Sequence, residues 1–270
     1  MKSTNKIRGI VGILAVLGWA QANANVPVTA DYGASPGASG TEDLVGPFTS
    51  LDLSDAGIAL IKGAIGVPEG TAVEGYYQSF VTAHTDGTGT LPAPGLNTGY
   101  ELTLRSSFFG TTGPGGSFNI NSGNAQLYFD PTPDKNFSTD SGFDDSASIL
   151  SASINGGQGV FSPPAGVGTL TFTVDSFDAD VFTPELIGGD AIFTLELTTD
   201  PGTTSDAVRN GSNSVMGVNV VNEGNPGGDL LTDADGNVSL TAVPVPAAIW
   251  LFGAGLLGIA GIAPRRRQWS

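Results

Sequence analysis

The chain has 270 residues, no cysteine, a single histidine and a formal net charge of −16. Without cysteine it cannot build a disulfide framework, a thiolate metal site or a thiol nucleophile, and one histidine excludes a multi-histidine zinc centre. The excess of acidic residues also argues against nucleic acid as a partner, because such binding neutralises phosphates with basic side chains.

The N-terminal segment has the pattern of an export signal. Three basic residues precede an apolar core over residues 10–19, and two overlapping small-x-small cleavage sites end at Ala22 and Ala24. The apolar core is too short to span a bilayer. We therefore expect signal peptidase to remove residues 1–24, with Ala22 as the alternative cleavage site.

Residues 25–43 are small and polar, and they are rich in glycine, alanine, serine and proline. This composition predicts a flexible lead-in to the folded domain. We place the start of that domain at residue 44, where strand-like segments begin.

Residues 44–242 carry short strand-like segments that turn residues separate. In the clearest of them, residues 100–109, the apolar Leu102 and Leu104 alternate with polar side chains on the other face. One stretch, residues 55–65, instead predicts a short helix. Because no long amphipathic helix and no regular repeat occurs, the pattern indicates an all-β, antiparallel sandwich or jelly roll in preference to a barrel.

Few side chains in this domain point to catalysis. His84 lies beside an Asp-Gly turn and is interpreted as an exposed loop residue. The pairs Asp144-Asp145 and Asp178/Asp180 have the chemistry of a glycosidase, but in Gly/Ser-rich loops they are interpreted as solvated groups. We therefore expect no enzyme activity.

Two acidic stretches raise the question of calcium. Residues 233–237 begin like an EF-hand loop, but Val238 and Pro244 stand where that loop needs glycine and glutamate, so a hairpin turn at Asp235-Gly236 is predicted instead. A second, oxygen-rich loop offers a weak calcium site, and no other cofactor is expected. Its candidate ligands are Asp130, Asp134, Asp140, Asp144 and Asp145.

The last 28 residues combine a hinge, an apolar run and a basic end. The hinge is Pro244-Val245-Pro246, and the uncharged run over residues 247–263 would form a helix about 25 Å long, near the lower limit for crossing a bilayer. The three arginines that follow favour the cytoplasmic side: Arg265, Arg266 and Arg267. We expect a C-terminal transmembrane helix at residues 247–263.

This order of parts resembles the PEP-CTERM sorting tail of Gram-negative bacteria, in the VPxPA-type variant that has an apolar residue, here Val245, between the two prolines. The resemblance implies that residues 243–270 are read by an exosortase, an integral-membrane transpeptidase that cuts near the hinge. It also implies that the inner membrane holds the protein only transiently.

Three short segments of the folded domain are similar to flocculation-associated PEP-CTERM proteins. They are residues 75–83, 125–131 and 157–161. The similarity implies a role in cell aggregation within an extracellular polysaccharide matrix, and it brings no catalytic residue with it.

The charge of the exported part fits such a location. Six of the ten basic residues lie in the signal and the tail, so the segment between them carries 4 − 26 = −22. This charge favours solubility and attracts cations.

We expect a secreted, cell-surface or matrix protein of flocculation or biofilm. The alternatives are a carbohydrate-binding module or weak glycan hydrolase of the same matrix, and a single-pass membrane protein whose tail stays uncut.

Overall fold

A computed structural model describes residues 27–162, 165–186, 190–198, 214–223 and 225–240. Within these residues strands predominate and helix is almost absent, which confirms the predicted all-β, antiparallel class. The strands are β1 (Val28–Asp31), β2 (Leu44–Phe48), β3 (Ser50–Leu53), β4 (Ile58–Lys62), β5 (Ala72–Thr85), β6 (Thr90–Leu91), β7 (Glu101–Thr112), β8 (Ser117–Asp130), β9 (Ala147–Ser162), β10 (Ala165–Phe177), β11 (Phe182–Thr183), β12 (Asp190–Thr198), β13 (Ser214–Val215), β14 (Val218–Asn219) and β15 (Leu230–Leu240). The two short 3-10 helices are Tyr32–Ala34 and Pro114–Gly116.

One sheet closes on itself and replaces the two facing sheets that the sequence suggested. Its strands follow the order β12-β10-β9-β8-β7-β5, then β3 and β4 as two halves of one strand, then β15, which pairs back to β12. Register shifts interrupt the pairs β7–β8, β8–β9 and β9–β10. Such bulges bend strands and increase their twist, so long sequential strands curl into a barrel-like sheet of eight.

The helix predicted for residues 55–65 is instead the turn between β3 and β4 followed by strand β4. Ala59 and Ile61 belong to the main interior core, whereas Ile58 and Leu60 belong to a second apolar cluster on the outer face. Because both faces of this strand are buried, its residues read as a continuous apolar run, which periodicity alone cannot distinguish from a helix.

Side chains alternate between the inside and the outside of the closed sheet, as the β7 pattern predicted. Leu102, Leu104 and Phe108 are buried in the interior core. Gly75 lies directly opposite Phe108, and a Cβ on that glycine would fall 2.0 Å from the Phe108 ring. The ring therefore occupies the space that a side chain at residue 75 would need.

One end of the closed sheet is covered by a small three-stranded sheet of order β11-β1-β2. We call this covered end the plugged end, and the end with the β7–β8 and β9–β10 connections the open end. The stretch predicted as a flexible lead-in, residues 25–43, instead contains strand β1 and the helix Tyr32–Ala34. Val28, Ala30 and Tyr32 are each 0% exposed and fill the plugged end, and the burial of these side chains stabilises the segment.

The hairpin turn predicted at Asp235-Gly236 is wrong, since both residues lie within the continuous strand β15. A Cβ on Gly236 would fall within 3 Å of Tyr77, Phe193 and Leu53 in the interior. This glycine therefore provides space for large neighbours and does not mark a turn.

A short hairpin of β13 and β14 covers part of the outer face. Val215 packs with Ile58, Leu60 and Leu231 in the second apolar cluster. No helix among the described residues has the length and apolar character that a membrane span needs. The predicted helix at residues 247–263 lies outside the described residues.

Candidate functional site

The oxygen-rich loop between β8 and β9 folds back over the outer face of β7, and Glu101 holds it there. Glu101 is 0% exposed, and its Oε1 accepts hydrogen bonds from the backbone N–H groups of Asp134 (3.2 Å) and Lys135 (3.0 Å). The Lys135 Nζ donates to Glu101 Oε2 at 2.8 Å and lies 4.1 Å from the centre of the Phe80 ring. A largely buried ion pair with this many hydrogen bonds fixes the loop in place.

The five predicted calcium ligands do not converge on one point. Asp130 and Asp134 come together with Glu101, and one carboxylate oxygen of each lies within 4.8 Å of the others. Asp140 instead accepts hydrogen bonds from the backbone of the β13–β14 hairpin, and Asp144 pairs with Arg105. The fifth candidate, Asp145, is exposed on the same loop.

The chemistry of the Glu101, Asp130 and Asp134 group favours a structural role. Calcium takes about six to eight oxygen ligands, whereas this group offers three carboxylates and already contains the ammonium group of Lys135. Burial raises the pKa of Asp130, and the nearby carboxylates raise it further, while the Thr132 N–H that donates to it has the opposite effect. These carboxylates therefore bind backbone amides and a lysine, and they fit poorly as a calcium cage.

His84 is buried at the plugged end, so its interpretation as an exposed loop residue is wrong. Its ring is 0% exposed, and its Nε2 shares a hydrogen bond of 2.7 Å with the Tyr32 hydroxyl. The Phe48 ring packs edge-on against it at 4.9 Å, and Nδ1 has no hydrogen-bond partner among the described residues. Burial lowers the pKa of His84 to about 4, against a smaller opposing effect of Asp43.

The aromatic residues around His84 form a closed packing unit. The Tyr32 ring lies 5.4 Å from that of Tyr100 and stacks on Phe129 at 6.4 Å. The Tyr100 hydroxyl donates to Asp43 Oδ2 at 3.1 Å, and that same oxygen accepts the Gly95 N–H. Every polar contact of this unit is internal, so it fits a plug better than a binding site.

The open end carries a different feature, a groove of about 400 Å³ that crosses the adjacent strands β8, β9 and β10. This volume lies within the range of about 300 to 1,000 Å³ that is usual for small-ligand clefts. None of the described residues that line the groove is charged. They are Ser117, Phe118, Asn119, Gln158, Gly159, Val160, Val167, Gly168 and Thr169.

Strand register brings the polar side chains of this groove into one row. Asn119 lies opposite Gln158, and Gln158 lies opposite Thr169. The row continues across two further strands to Thr194 and Asn237. Alternate polar residues within each strand were visible in the sequence, but only the pairing of the strands shows that they line up.

The targeting residues predicted from the sequence lie outside the described residues. This applies to the cleavage sites at Ala22 and Ala24 and to the sorting hinge Pro244-Val245-Pro246. It applies equally to the basic end, Arg265 to Arg267. Comparison of the chain with models of protein families, with curated proteins and with solved structures finds no match.

Proposed function

We propose that this is an exported, acidic, cell-surface or matrix protein whose C-terminal tail is a transient membrane anchor that an exosortase-like transpeptidase removes. In this proposal the mature protein acts outside the cell by association with exopolysaccharide and contributes to aggregation in flocs or biofilm. The support comes from the two terminal sequence patterns and from the way in which the fold presents the two chain ends.

The observation that carries the proposal is that both ends of the folded part lie at the plugged end. Strand β1 begins at Val28 and belongs to the small sheet there, and strand β15 ends at Leu240 beside Thr49 on the same side. Pro244 follows Leu240 by only four residues, and a chain of that length reaches at most about 14 Å. A protein tethered through this end directs its open end away from the membrane.

The charge of the folded part supports an extracellular role. A net charge of 4 − 26 = −22 on the segment between signal and tail keeps neighbouring copies apart and attracts cations. It also disfavours binding to nucleic acid, because the phosphates carry charge of the same sign.

The test is the intact mass of the protein recovered from the extracellular matrix and, separately, from the inner membrane. We expect a matrix form that lacks residues 1–24 and everything after about Pro246. A control variant, Pro244→Ala combined with Pro246→Ala, keeps the apolar run and is expected to accumulate uncut in the membrane. Recovery of the wild type only as a membrane form that retains residues 247–270 would leave a simple anchored ectodomain.

A second function, carbohydrate binding, is favoured by one specific observation, the uncharged groove at the open end. It is compatible with the first, because a matrix protein needs a surface that meets the matrix.

A further inference from the structure

We propose that the groove across β8, β9 and β10 binds a segment of a neutral polysaccharide. The proposal deepens the proposed function by giving the matrix protein a binding surface and a ligand class. Its test depends neither on export nor on cutting of the tail.

The polar side chains of the row are available to a ligand. Asn119, Gln158, Thr169 and Thr194 are exposed, and none of these side chains makes a hydrogen bond to another described residue. The polar side chains nearer the plugged end on the same strands behave differently. Three contacts show this: Ser151 to Ser176, Ser153 to Asp175 and Asn155 to Thr173.

The side chains of the groove are chemically complementary to a sugar. Amide and hydroxyl side chains both donate and accept hydrogen bonds, as sugar hydroxyls do. The exposed Val160 (43%) and Val167 (56%) lie directly opposite each other beside the polar row. Together they offer an apolar surface for the C–H face of a sugar ring, while Gln158 and Thr169 meet its hydroxyls.

The charge of the groove and of the exported segment favours a neutral sugar over an anionic one. A groove without a charged side chain gives an anionic sugar no partner, and the −22 of the exported segment repels it. A neutral chain is free of that penalty. The row also repeats at the strand spacing of about 4.8 Å, close to the length of one sugar ring, so a chain lying across the strands meets successive polar groups.

The experiment uses the full-length protein in micelles of a detergent without a sugar head group, titrated with dextran, cellohexaose and galactomannan. Alginate and polygalacturonate serve as anionic probes. The groove variant combines Asn119→Ala, Gln158→Ala and Thr169→Ala. The matched control combines Asn124→Ala, Asn155→Ala and Thr173→Ala, which change the same three strands on the same outer face but outside the groove.

We expect at least one neutral probe to bind, with the groove variant at least about tenfold weaker, which corresponds to about 1.4 kcal/mol, and the control unchanged. Equal binding by the groove variant would place the site elsewhere, and binding to the anionic probes alone would overturn the ligand class. Failure of every neutral probe would also overturn the proposal. If the wild type self-associates and the groove variant does not, the groove is a contact between copies of this chain, and the proposal of a sugar ligand is overturned. Each of these results leaves the mass test of the tail unaffected, so the two proposals fail separately.

Discussion

The two ends of the closed sheet are built in opposite ways from the same strands. At the plugged end, large aromatic rings and buried polar groups from distant parts of the chain pack together, as Tyr32, His84 and Tyr100 show. At the open end, glycines such as Gly159 and Gly168 line adjacent strands, and exposed side chains border a groove. The comparison suggests that the plugged end supplies stability, which leaves the open end free to vary in surface chemistry.

The position of acidic side chains sharpens the same contrast. Glu101, near the plugged end, is fully buried and bonded to Lys135, whereas Glu196, near the open end, is exposed and lies opposite another carboxylate, Asp235. Burial raises the pKa of Asp235, and the nearby carboxylates raise it further, Asp52 most and Glu196 least. Two residues of one type therefore make very different contributions to stability.

The largest expected effect is the loss of stability on replacing Glu101, with Glu196 as the comparison. Glu101→Ala removes the carboxylate from the largely buried ammonium group of Lys135, which still donates to Asn97 Oδ1, and frees two backbone N–H groups, so we expect a loss of about 3–5 kcal/mol in the free energy of unfolding. Glu196→Ala is the matched control at the open end and should change it by no more than about 0.5 kcal/mol. Urea unfolding measures both values.

Equal effects of the two substitutions would contradict the contrast between the ends. Glu101→Gln provides an intermediate case, because its side-chain oxygen still accepts a backbone N–H but carries no charge. We expect its loss to lie between those of the two alanine variants.

The all-β class and the alternation of side chains along each strand were predictable from the sequence, because both depend on local patterns. The period of two in residues 100–109 placed Leu102 and Leu104 inside, and the structure confirms it. Closure of the sheet was not predictable, because it depends on pairing β15 with β12 on one side and with β3 and β4 on the other. No local pattern in residues 230–240 shows that this strand has two partners.

The errors have a common physical origin in tertiary packing. Gly236 resembled a turn residue, but its missing side chain accommodates Tyr77 and Phe193. His84 resembled a loop residue because a turn follows it, but its ring lies against Tyr32, which is 52 residues away in the chain. The five calcium candidates are separated for the same reason, since Asp144 pairs with Arg105 on β7 and Asp140 binds the hairpin that follows β12.

The next largest effect is the pH dependence of the plugged end. Folding lowers the pKa of His84 from its ordinary value of 6.5 to about 4, so the unfolded chain binds the proton more tightly. The contribution of His84 to the free energy of unfolding is therefore fully present above about pH 6.5. It is lost as the pH falls towards 4, by about 3 kcal/mol in total. Tyr32, Tyr100 and Asp43 are the titratable groups that face the ring or act on it.

The measurement is urea unfolding of the wild type and of His84→Leu between pH 7 and pH 4. The difference between the two proteins isolates the histidine, because the other titrating carboxylates are common to both. We expect the wild type to lose about 3 kcal/mol more than the variant over this range. Parallel curves would show that the buried ring does not contribute to acid sensitivity.

The smallest effect concerns the acidic loop as it leaves the plugged end and reaches the outer face. The Asp140 carboxylate accepts the backbone N–H groups of Met216 at 3.0 Å and Gly217 at 2.7 Å, and the Gln78 amide at 2.9 Å. Asp140→Asn places an amide donor against those donors, while asparagine still tolerates the positive φ of 52° at this position. We expect a loss of about 1–2 kcal/mol, together with faster hydrogen exchange at the Met216 and Gly217 amides. Asp145→Asn, on the same loop but exposed, is the control and should leave both amides protected. Unchanged protection in the Asp140 variant would mean that the β13–β14 hairpin is held by the apolar packing of Val215 alone. The acidic loop that begins at the plugged end would then not stabilise this hairpin.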